Sequence, residues 1–182
     1  LIMSRSHYLD IVIKRADVGR ELHARLLMAV HLQSPQQSNL AVTWPDWGTW
    51  GGEFGLIFRV FGEPQALLAF KARIEPLIQH QLVLALAINP VPAFEHLVMF
   101  KRDRRFENTS PCHVRRLKRR AEQRGETLEL EPAAQKCEHW IEMQSLSTRS
   151  AFRFGIKRTA AEPGQAQHAV DSYGLGVALP AF

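Results

Sequence analysis

The sequence predicts an α+β protein with an N-terminal ferredoxin-like (RRM-like) βαββαβ domain and a C-terminal domain of β-strands and an arginine-rich helix. Three observations predict it. Two stretches of helical periodicity alternate with strand-like runs in the first half of the chain, a segment at 89–93 with two prolines predicts a linker, and cations accumulate beyond it. We therefore expect one domain over residues 1–93 and a second over residues 94–182.

The first three elements are marked by residue type and spacing. Residues 8–14 are aromatic and β-branched, which predicts a strand. From Asp17, a suitable N-cap, apolar residues recur at three- and four-residue spacing to about Leu32, which predicts a helix. A turn-rich loop at 33–39 then separates this helix from a strand at 40–44.

The other three elements of this domain follow a long loop. Residues 45–55 are rich in glycine and tryptophan, which predicts a hairpin loop before a strand at 56–61. Pro64 begins the second helix, and Pro76 is expected to bend or shorten it. Residues 82–88 are apolar at nearly every position, which predicts a strand that is covered on both faces or mostly buried.

Composition excludes several classes of protein. The chain has 182 residues, of which 46% are hydrophobic and 23% charged, as in folded globular domains rather than disordered ones. It contains no apolar run of the about 18 residues that a membrane-spanning helix needs, and we expect no export signal at its start. Cys112 and Cys137 have neither disulfide-scaffold nor zinc-ligand spacing, so we expect no metal and a reducing cytoplasmic location. The glycines at 51–55 do not match a phosphate-binding motif, so no nucleotide cofactor is expected.

Positive charge is concentrated in one short segment. The whole chain holds 23 Lys and Arg against 18 Asp and Glu, a formal charge of +5. Residues 101–124 alone hold ten Lys or Arg and three Asp or Glu, which gives this segment a net charge of +7. A local excess of this size indicates a polyanionic partner.

The second part of the basic segment predicts a helix. Ser110 is a suitable N-cap, Pro111 suits the first helical position, and Gly125 suits the residue after the end. One narrow side of this helix is apolar and consists of Val114, Leu117 and Ala121. The far side and the flank carry four arginines: Arg115, Arg116, Arg119 and Arg120. Because guanidinium groups suit phosphates and guanine edges, the pattern predicts a nucleic-acid-binding helix, with a solvated charged face as the alternative.

Short motifs spread along the chain resemble one family. They are the residues 7–11 (HYLDI), 44–46 (WPD), 115–120 (RRLKRR), 145–148 (SLST) with Phe152 and Arg153, and 173–175 (YGL) before the closing 180–182 (PAF). In their order and spacing the chain is similar to the CRISPR repeat-processing endoribonuclease of type I-F systems, including transposon-associated relatives.

The resemblance implies an enzyme that binds the stem-loop of a CRISPR repeat and cuts pre-crRNA at the 3′ base of the stem. In this family the reaction needs no metal, because a 2′-hydroxyl attacks the adjacent phosphate and leaves a 2′,3′-cyclic phosphate and a 5′-hydroxyl. The resemblance also implies that the protein stays on the crRNA 3′ handle in the surveillance complex, Cascade, beside other subunits that include the backbone subunit.

Three catalytic residues follow from the resemblance. Such a reaction needs a base near the 2′-hydroxyl, and imidazole suits that task near neutral pH. His31 matches the catalytic position, and a helical wheel places it away from the apolar stripe of the first helix. His23 is the alternative, because the interval from His31 to Trp44 is about two residues shorter than in the family. Ser145 matches the serine that holds the reacting ribose, and Tyr173 the tyrosine near the active site.

The resemblance also implies RNA contacts outside the helix. Phe152 matches the aromatic residue that stacks beneath the terminal base pair, although a plain core role is the alternative because Phe152, Phe154 and Ile156 alternate onto one face. Arg102 and Arg104 match an arginine and a glutamine that read bases near the cut. Arg104 in place of glutamine indicates a different base or a phosphate contact.

Two other functions stay open at this stage. The same fold and helix would also suit a non-catalytic subunit that holds an RNA hairpin in a ribonucleoprotein, or a basic DNA-binding regulator. Replacing His31 with alanine separates the enzyme from the binder, and competition between repeat RNA and duplex DNA exposes the regulator.

Overall fold

The computed structural model describes residues 5–33, 39–49, 53–104, 111–129, 139–161 and 170–182. These residues form two four-stranded antiparallel sheets and four α-helices. The first sheet contains β1 (His7–Ile13), β2 (Ala41–Thr43), β3 (Ile57–Gly62) and β4 (Val83–Pro90), with the helices α1 (Gly19–Gln33), α2 (Pro64–Arg73) and α3 (Glu75–Gln79) between them. The second contains β5 (His96–Asp103), β6 (Trp140–Gln144), β7 (Ala151–Ala161) and β8 (Ala178–Ala181), with α4 (Pro111–Glu122) after β5. None of the described helices is long and apolar enough to cross a membrane.

The first sheet has the strand order β2-β3-β1-β4, which confirms the predicted ferredoxin-like arrangement. Leu9 pairs with Val60 and Ile11 with Phe58 in the antiparallel ladder of β1 and β3. These four side chains are fully buried in one core with the apolar residues of α1 and α2. The alternation of residues along the strands therefore places one face of the sheet against the helices.

The start of α1 differs from the prediction. A single 3₁₀ turn at Ala16–Val18 precedes the helix, which begins at Gly19 rather than after Asp17. The Asp17 carboxylate accepts hydrogen bonds from the Arg15 guanidinium at 2.8 and 2.6 Å instead of capping the helix. An arginine two residues before the carboxylate competes for it more strongly than the backbone N–H groups do.

The second helix breaks where its sequence predicts. α2 ends at Arg73, Ile74 has φ −92° and ψ 5°, and α3 begins at Glu75 with Pro76 in its first turn. Proline lacks the N–H that would continue the ladder, and its ring clashes with the carbonyl four residues earlier. The predicted shortening is therefore confirmed.

Residues 82–88 lie largely in a strand as predicted, but the prediction that it is covered on both faces or mostly buried is wrong. β4 lies at the edge of the sheet, where it pairs with β1, and Leu84 and Leu86 are 49% and 42% exposed. The strand also continues to Pro90, opposite His7, so the ladder extends into the predicted linker. An edge strand tolerates a proline because one side of its backbone makes no ladder bonds.

The second sheet shares its core with the first. Its strand order is β6-β7-β5-β8. Phe100, Ile141 and Phe154 belong to the same buried cluster as Leu9 of the first sheet, and the Phe100 ring lies edge-on to Trp44 at 5.1 Å between centroids. The strands β1 to β4 precede residue 93, and the strands β5 to β8 follow it. A domain boundary between residues 93 and 94 stays a prediction.

Candidate active site

His31 and Tyr173 form the centre of the candidate site. His31 lies in the last turn of α1, and Tyr173 lies in the loop before β8. Their rings stack with centroids 4.3 Å apart and planes 12° from parallel, and both residues are half-buried. The fold therefore brings together two of the three predicted catalytic side chains.

A tight turn fixes the backbone of Tyr173. The Asp171 Oδ1 atom accepts hydrogen bonds from the N–H groups of Tyr173 and Leu175, both at 2.9 Å. The Gly174 carbonyl accepts a bond from the Val42 N–H at 2.9 Å, which ties the turn to β2. Gly174 has φ +78°, and a Cβ there would lie 3.0 Å from the Leu40 carbonyl oxygen, so the turn requires glycine.

One nitrogen of His31 is buried without a partner. Its Nδ1 atom is almost completely buried and has no hydrogen-bond partner among the residues that the structure describes. An unsatisfied buried polar atom costs about 1–3 kcal/mol, and native structures hold few of them. A buried nitrogen of this kind calls for an explanation, and a functional role for His31 is one.

His23, the alternative, has the surroundings of a structural histidine. It is 1% exposed, its Nε2 lies 3.0 Å from the Gly55 carbonyl, and its Nδ1 accepts a bond from the Trp44 indole N–H at 3.3 Å. Burial lowers the pKa of His23 to about 4, although the bond to Gly55 opposes this. The geometry therefore favours His31 as the reactive histidine.

Tyr173 also contacts the second sheet. Its ring lies 4.8 Å from the Phe154 ring, and the Arg102 guanidinium lies 4.7 Å from the centre of the same Phe154 ring. Burial raises the pKa of the Tyr173 hydroxyl, the nearby Arg102 charge lowers it, and Asp171 raises it. The hydroxyl consequently stays protonated at neutral pH and can donate a hydrogen bond.

Ser145 begins the turn between β6 and β7. Its Oγ accepts a bond from the Thr148 N–H at 3.2 Å and lies 3.2 Å from the Ser147 Oγ, and its N–H donates to the Ser150 carbonyl at 2.9 Å. The described hydrogen bonds of Ser145 thus lie within its own hairpin. The structure does not place its hydroxyl against His31 or Tyr173.

Phe152, Arg102 and Arg104 lie near the same strands. Phe152 is half-buried on β7, with its ring 6.4 Å from that of Phe154. Arg102 is half-buried in β5, opposite Ile156 of β7, and Arg104 is exposed directly after β5. Phe154 thus links Phe152 and Arg102 to the stacked pair.

The basic helix has the predicted faces. Val114 and Ala121 are each 2% exposed and Leu117 is half-buried, while the four predicted arginines are exposed: Arg115, Arg116, Arg119 and Arg120. Among the described residues, none of these four forms an ion pair with an acid. The side chains of Arg115 and Arg116 instead contact the preceding turn of the helix. Ser110, the predicted cap, and Cys137 lie outside the described residues.

The C-terminus of this helix follows the prediction. Gly125 has φ +73°, and the Glu126 N–H donates to the Ala121 carbonyl at 2.9 Å. This is the pairing of a Schellman motif, for which glycine is the preferred residue. The arginine face therefore stops at a defined point.

The family model for CRISPR-associated protein (Cas_Csy4) matches residues 8–182. The chain belongs to this family. Cas_Csy4 proteins are CRISPR repeat-processing endoribonucleases, so this chain is an RNA-binding endonuclease that acts on CRISPR repeat RNA, and the resemblance seen in its motifs is confirmed. No curated protein matches the chain.

Sequence motifs do not indicate two residues that contact the candidate site. Phe154 alternates with Phe152 onto one face of its strand, and its contact with Tyr173 has no local signature in the sequence. Asp171 did have a signal, because an aspartate before a glycine-containing segment is typical of a turn that the carboxylate closes onto the backbone. Among the described residues, no cluster of three or more His, Cys, Asp or Glu has the geometry to hold a metal ion.

Proposed function

We propose that this Cas_Csy4 protein cuts pre-crRNA at the 3′ base of the repeat hairpin by a metal-independent attack of a ribose 2′-hydroxyl. The catalytic residues are His31, Ser145 and Tyr173. One observation carries the proposal: His31 stacks on Tyr173 at 4.3 Å, while its Nδ1 is buried and without a partner. The reaction leaves a 2′,3′-cyclic phosphate and a 5′-hydroxyl, since the attacking oxygen belongs to the RNA.

The buried Nδ1 supports Nε2 as the nitrogen of His31 that meets the RNA in this proposal. Because Nδ1 is closed off from solvent, proton transfer with a substrate uses Nε2. A base at Nε2 requires the neutral tautomer that carries its proton on Nδ1. In this tautomer His31 takes the proton of the 2′-hydroxyl, and the oxygen attacks the neighbouring phosphorus. The bond from phosphorus to the 5′ oxygen breaks, and that oxygen takes a proton from solvent.

Tyr173 and Ser145 support this step in different ways. The Tyr173 ring covers one face of the His31 imidazole and limits its rotation, so that Nε2 keeps one direction. Ser145, in the turn after β6, holds the reacting ribose in the proposed complex. Phe152, seven positions further along the hairpin, stacks beneath the terminal base pair, and base–aromatic stacking contributes about 1–3 kcal/mol in single-strand binders.

The arginine face of α4 binds the stem in this proposal. Four exposed arginines without acidic partners among the described residues support it: Arg115, Arg116, Arg119 and Arg120. The major groove of A-form RNA is normally too deep and narrow for side chains. A short hairpin has open stem ends, so guanidinium groups reach phosphates and guanine edges there. Arg102 and Arg104 contact bases or phosphates near the cut.

The test uses the repeat RNA of the neighbouring CRISPR array in EDTA, followed by end-group analysis. We expect one cut at the 3′ base of the hairpin, with a cyclic phosphate on one product and a 5′-hydroxyl on the other. RNA with a 2′-deoxy nucleotide at that position serves as the matched control and should bind without being cut. Cleavage of the deoxy RNA, or activity that disappears in EDTA, would contradict the proposal.

The product complex distinguishes a lasting crRNA subunit from an enzyme that releases its product. We propose that the protein stays on the 3′ handle of the crRNA and joins Cascade through it, beside the backbone subunit. Cleaved hairpin should therefore coelute with the protein in size-exclusion chromatography, and turnover should stop after about one equivalent of RNA. Rapid exchange with labelled product would contradict this part.

A further inference from the structure

Phe154 is a core residue that also contacts two residues of the candidate site. It is fully buried on β7, the second strand of its sheet, and pairs with Ile141 of β6. Its ring contacts Tyr173 at 4.8 Å between centroids with planes 57° apart. The Arg102 guanidinium lies 4.7 Å from the same ring.

The Tyr173 ring therefore has an aromatic neighbour on each of two elements. His31 on α1 stacks on it at 4.3 Å, and Phe154 on β7 lies against it at 4.8 Å. The hydrogen bonds from Asp171 fix only the backbone of the turn, and they leave rotation about the side-chain bonds of Tyr173 open. Some other contact must select one position of the ring.

We propose that Phe154 is a positioning residue, whose ring holds Tyr173 in the orientation that stacks on His31. This inference rests on the proposed function for the catalytic role of His31. The arrangement of the three rings does not depend on that role. A ladder-bonded strand provides a rigid support, and aromatic pairs prefer tilted or edge arrangements like this one. An aliphatic residue would fill similar space without that preference.

The position of Arg102 connects Phe154 to RNA recognition in this proposal. The predicted base-reading arginine and the predicted catalytic ring contact the same Phe154 side chain. Phe154 thus joins the residue that recognises RNA near the cut to the residue that orients the base. Loss of its ring should lower the rate of cleavage while it leaves hairpin binding by α4 intact.

The direct test observes His31 in the free protein by NMR. A tyrosine ring stacked at this distance shifts the carbon-bound imidazole protons upfield, so Tyr173→Leu should move the His31 signals strongly downfield. We expect Phe154→Leu and Phe154→Met, two apolar replacements without a ring, to move them in the same direction. Phe58→Leu is the matched control, because Phe58 is also fully buried but contacts His23 and Trp44 instead.

The second readout is single-turnover cleavage with hairpin affinity. Misplacement of a catalytic group by about 1 Å costs up to about 100-fold, so we expect Phe154→Leu to slow cleavage by about 10- to 100-fold at unchanged affinity. If either foldable Phe154 variant leaves the His31 signals in place while Tyr173→Leu moves them, Phe154 does not position the pair. If the wild-type protein cuts no RNA, the proposed function fails, but the NMR result still decides the positioning role.

Discussion

His23 and His31 project from the same helix into different surroundings. Both nitrogens of His23 have partners inside the core, whereas His31 has an unsatisfied Nδ1 and a tyrosine stacked on its ring. A helical wheel separates the two only by direction, and it does not reveal which one finds hydrogen bonds. The partners of His23 come from residues 21 and 32 positions away, which local sequence patterns do not show.

Burial of neutral His23 makes stability depend on pH. Its pKa is about 4 in the folded state, against about 6.5 for a histidine in the unfolded chain, so between these values the unfolded chain binds a proton that the folded chain does not. Stability is therefore complete above about pH 6.5 and falls as the pH drops toward 4. Between about pH 7.5 and 5 we expect a loss of about 2 kcal/mol from this residue.

Chemical denaturation at the two pH values measures this loss. His23→Gln is the comparison, because glutamine can hydrogen-bond but does not titrate in this range. It should lower stability overall and flatten the pH dependence by about 2 kcal/mol. An equal pH dependence in wild type and variant would show that His23 is not the group responsible.

At the scale of elements, the turn that carries Tyr173 needs glycine both for its backbone conformation and for space. Gly174 and Gly125 both have positive φ, but only Gly174 has backbone within 3.0 Å of where a Cβ would lie, while Gly125 has open space. Alanine at either position should cost roughly 1–2 kcal/mol for the left-handed conformation. Only Gly174→Ala should also displace Tyr173 and slow cleavage, by about tenfold or more.

Thermal unfolding and single-turnover rates of the two variants check this prediction. Gly125→Ala controls for the loss of stability away from Tyr173, and because Gly125 ends the RNA-binding helix α4, hairpin affinity is measured for both variants. Equal cleavage by both variants would mean that the position of the Tyr173 turn does not matter for the reaction.

The arginine helix should make RNA binding depend steeply on salt. Each lost phosphate contact reduces the slope of log affinity against log salt by about 1, so Arg119→Ala should weaken binding by about tenfold and flatten this slope by about 1. Arg73→Ala is the matched control, since Arg73 is an exposed arginine on α2. Filter binding of the repeat hairpin over a salt series gives both slopes, and an unchanged slope for Arg119→Ala would remove this residue from the interface.

The sequence predicts which segments form strands and helices better than it predicts which other elements lie beside them. Pro76 has a local effect, and the break before α3 occurs as predicted. The apolar run of β4 gives no sign of its place at the sheet edge, because the order of strands is set by distant pairing. The start of α1 was misplaced for another reason, since Arg15 takes the carboxylate of Asp17.

At the scale of the whole molecule, the two sheets behave as one packed body. Trp44 from the first half contacts Phe100 from the second. The Arg59 guanidinium donates hydrogen bonds to the buried Asp10 carboxylate and to the Phe182 carbonyl, each at 2.7 Å. Because the core is continuous, we expect a single cooperative unfolding transition.

Tryptophan fluorescence and far-UV circular dichroism should therefore report the same midpoint during urea unfolding of the full chain. The first signal comes from the four tryptophans, of which Trp44 and Trp47 contact Phe100 of the second sheet, and the second comes from all helices and strands. Two separated transitions would show that the halves on either side of residue 93 unfold independently.

The contacts of the candidate site also depend on the fold of the whole molecule. His31 and Tyr173 lie near opposite ends of the chain, and no periodicity or spacing predicts that their rings meet. Only the resemblance to the family linked them before the fold was known. The contact of Phe154 with Tyr173 depends on the packing of the second sheet against the shared core, so it became visible only in the structure.

The most direct measurement compares cleavage and hairpin affinity of His31→Ala with those of the wild-type protein. A lost general base typically costs about 10²–10⁴-fold, so cleavage should fall by at least about 100-fold while the affinity for the repeat hairpin stays unchanged. His80→Ala, at an exposed histidine after α3, should cut at the wild-type rate. Cleavage by His31→Ala at the wild-type rate would contradict the account, because the stacked imidazole would then have no part in the reaction.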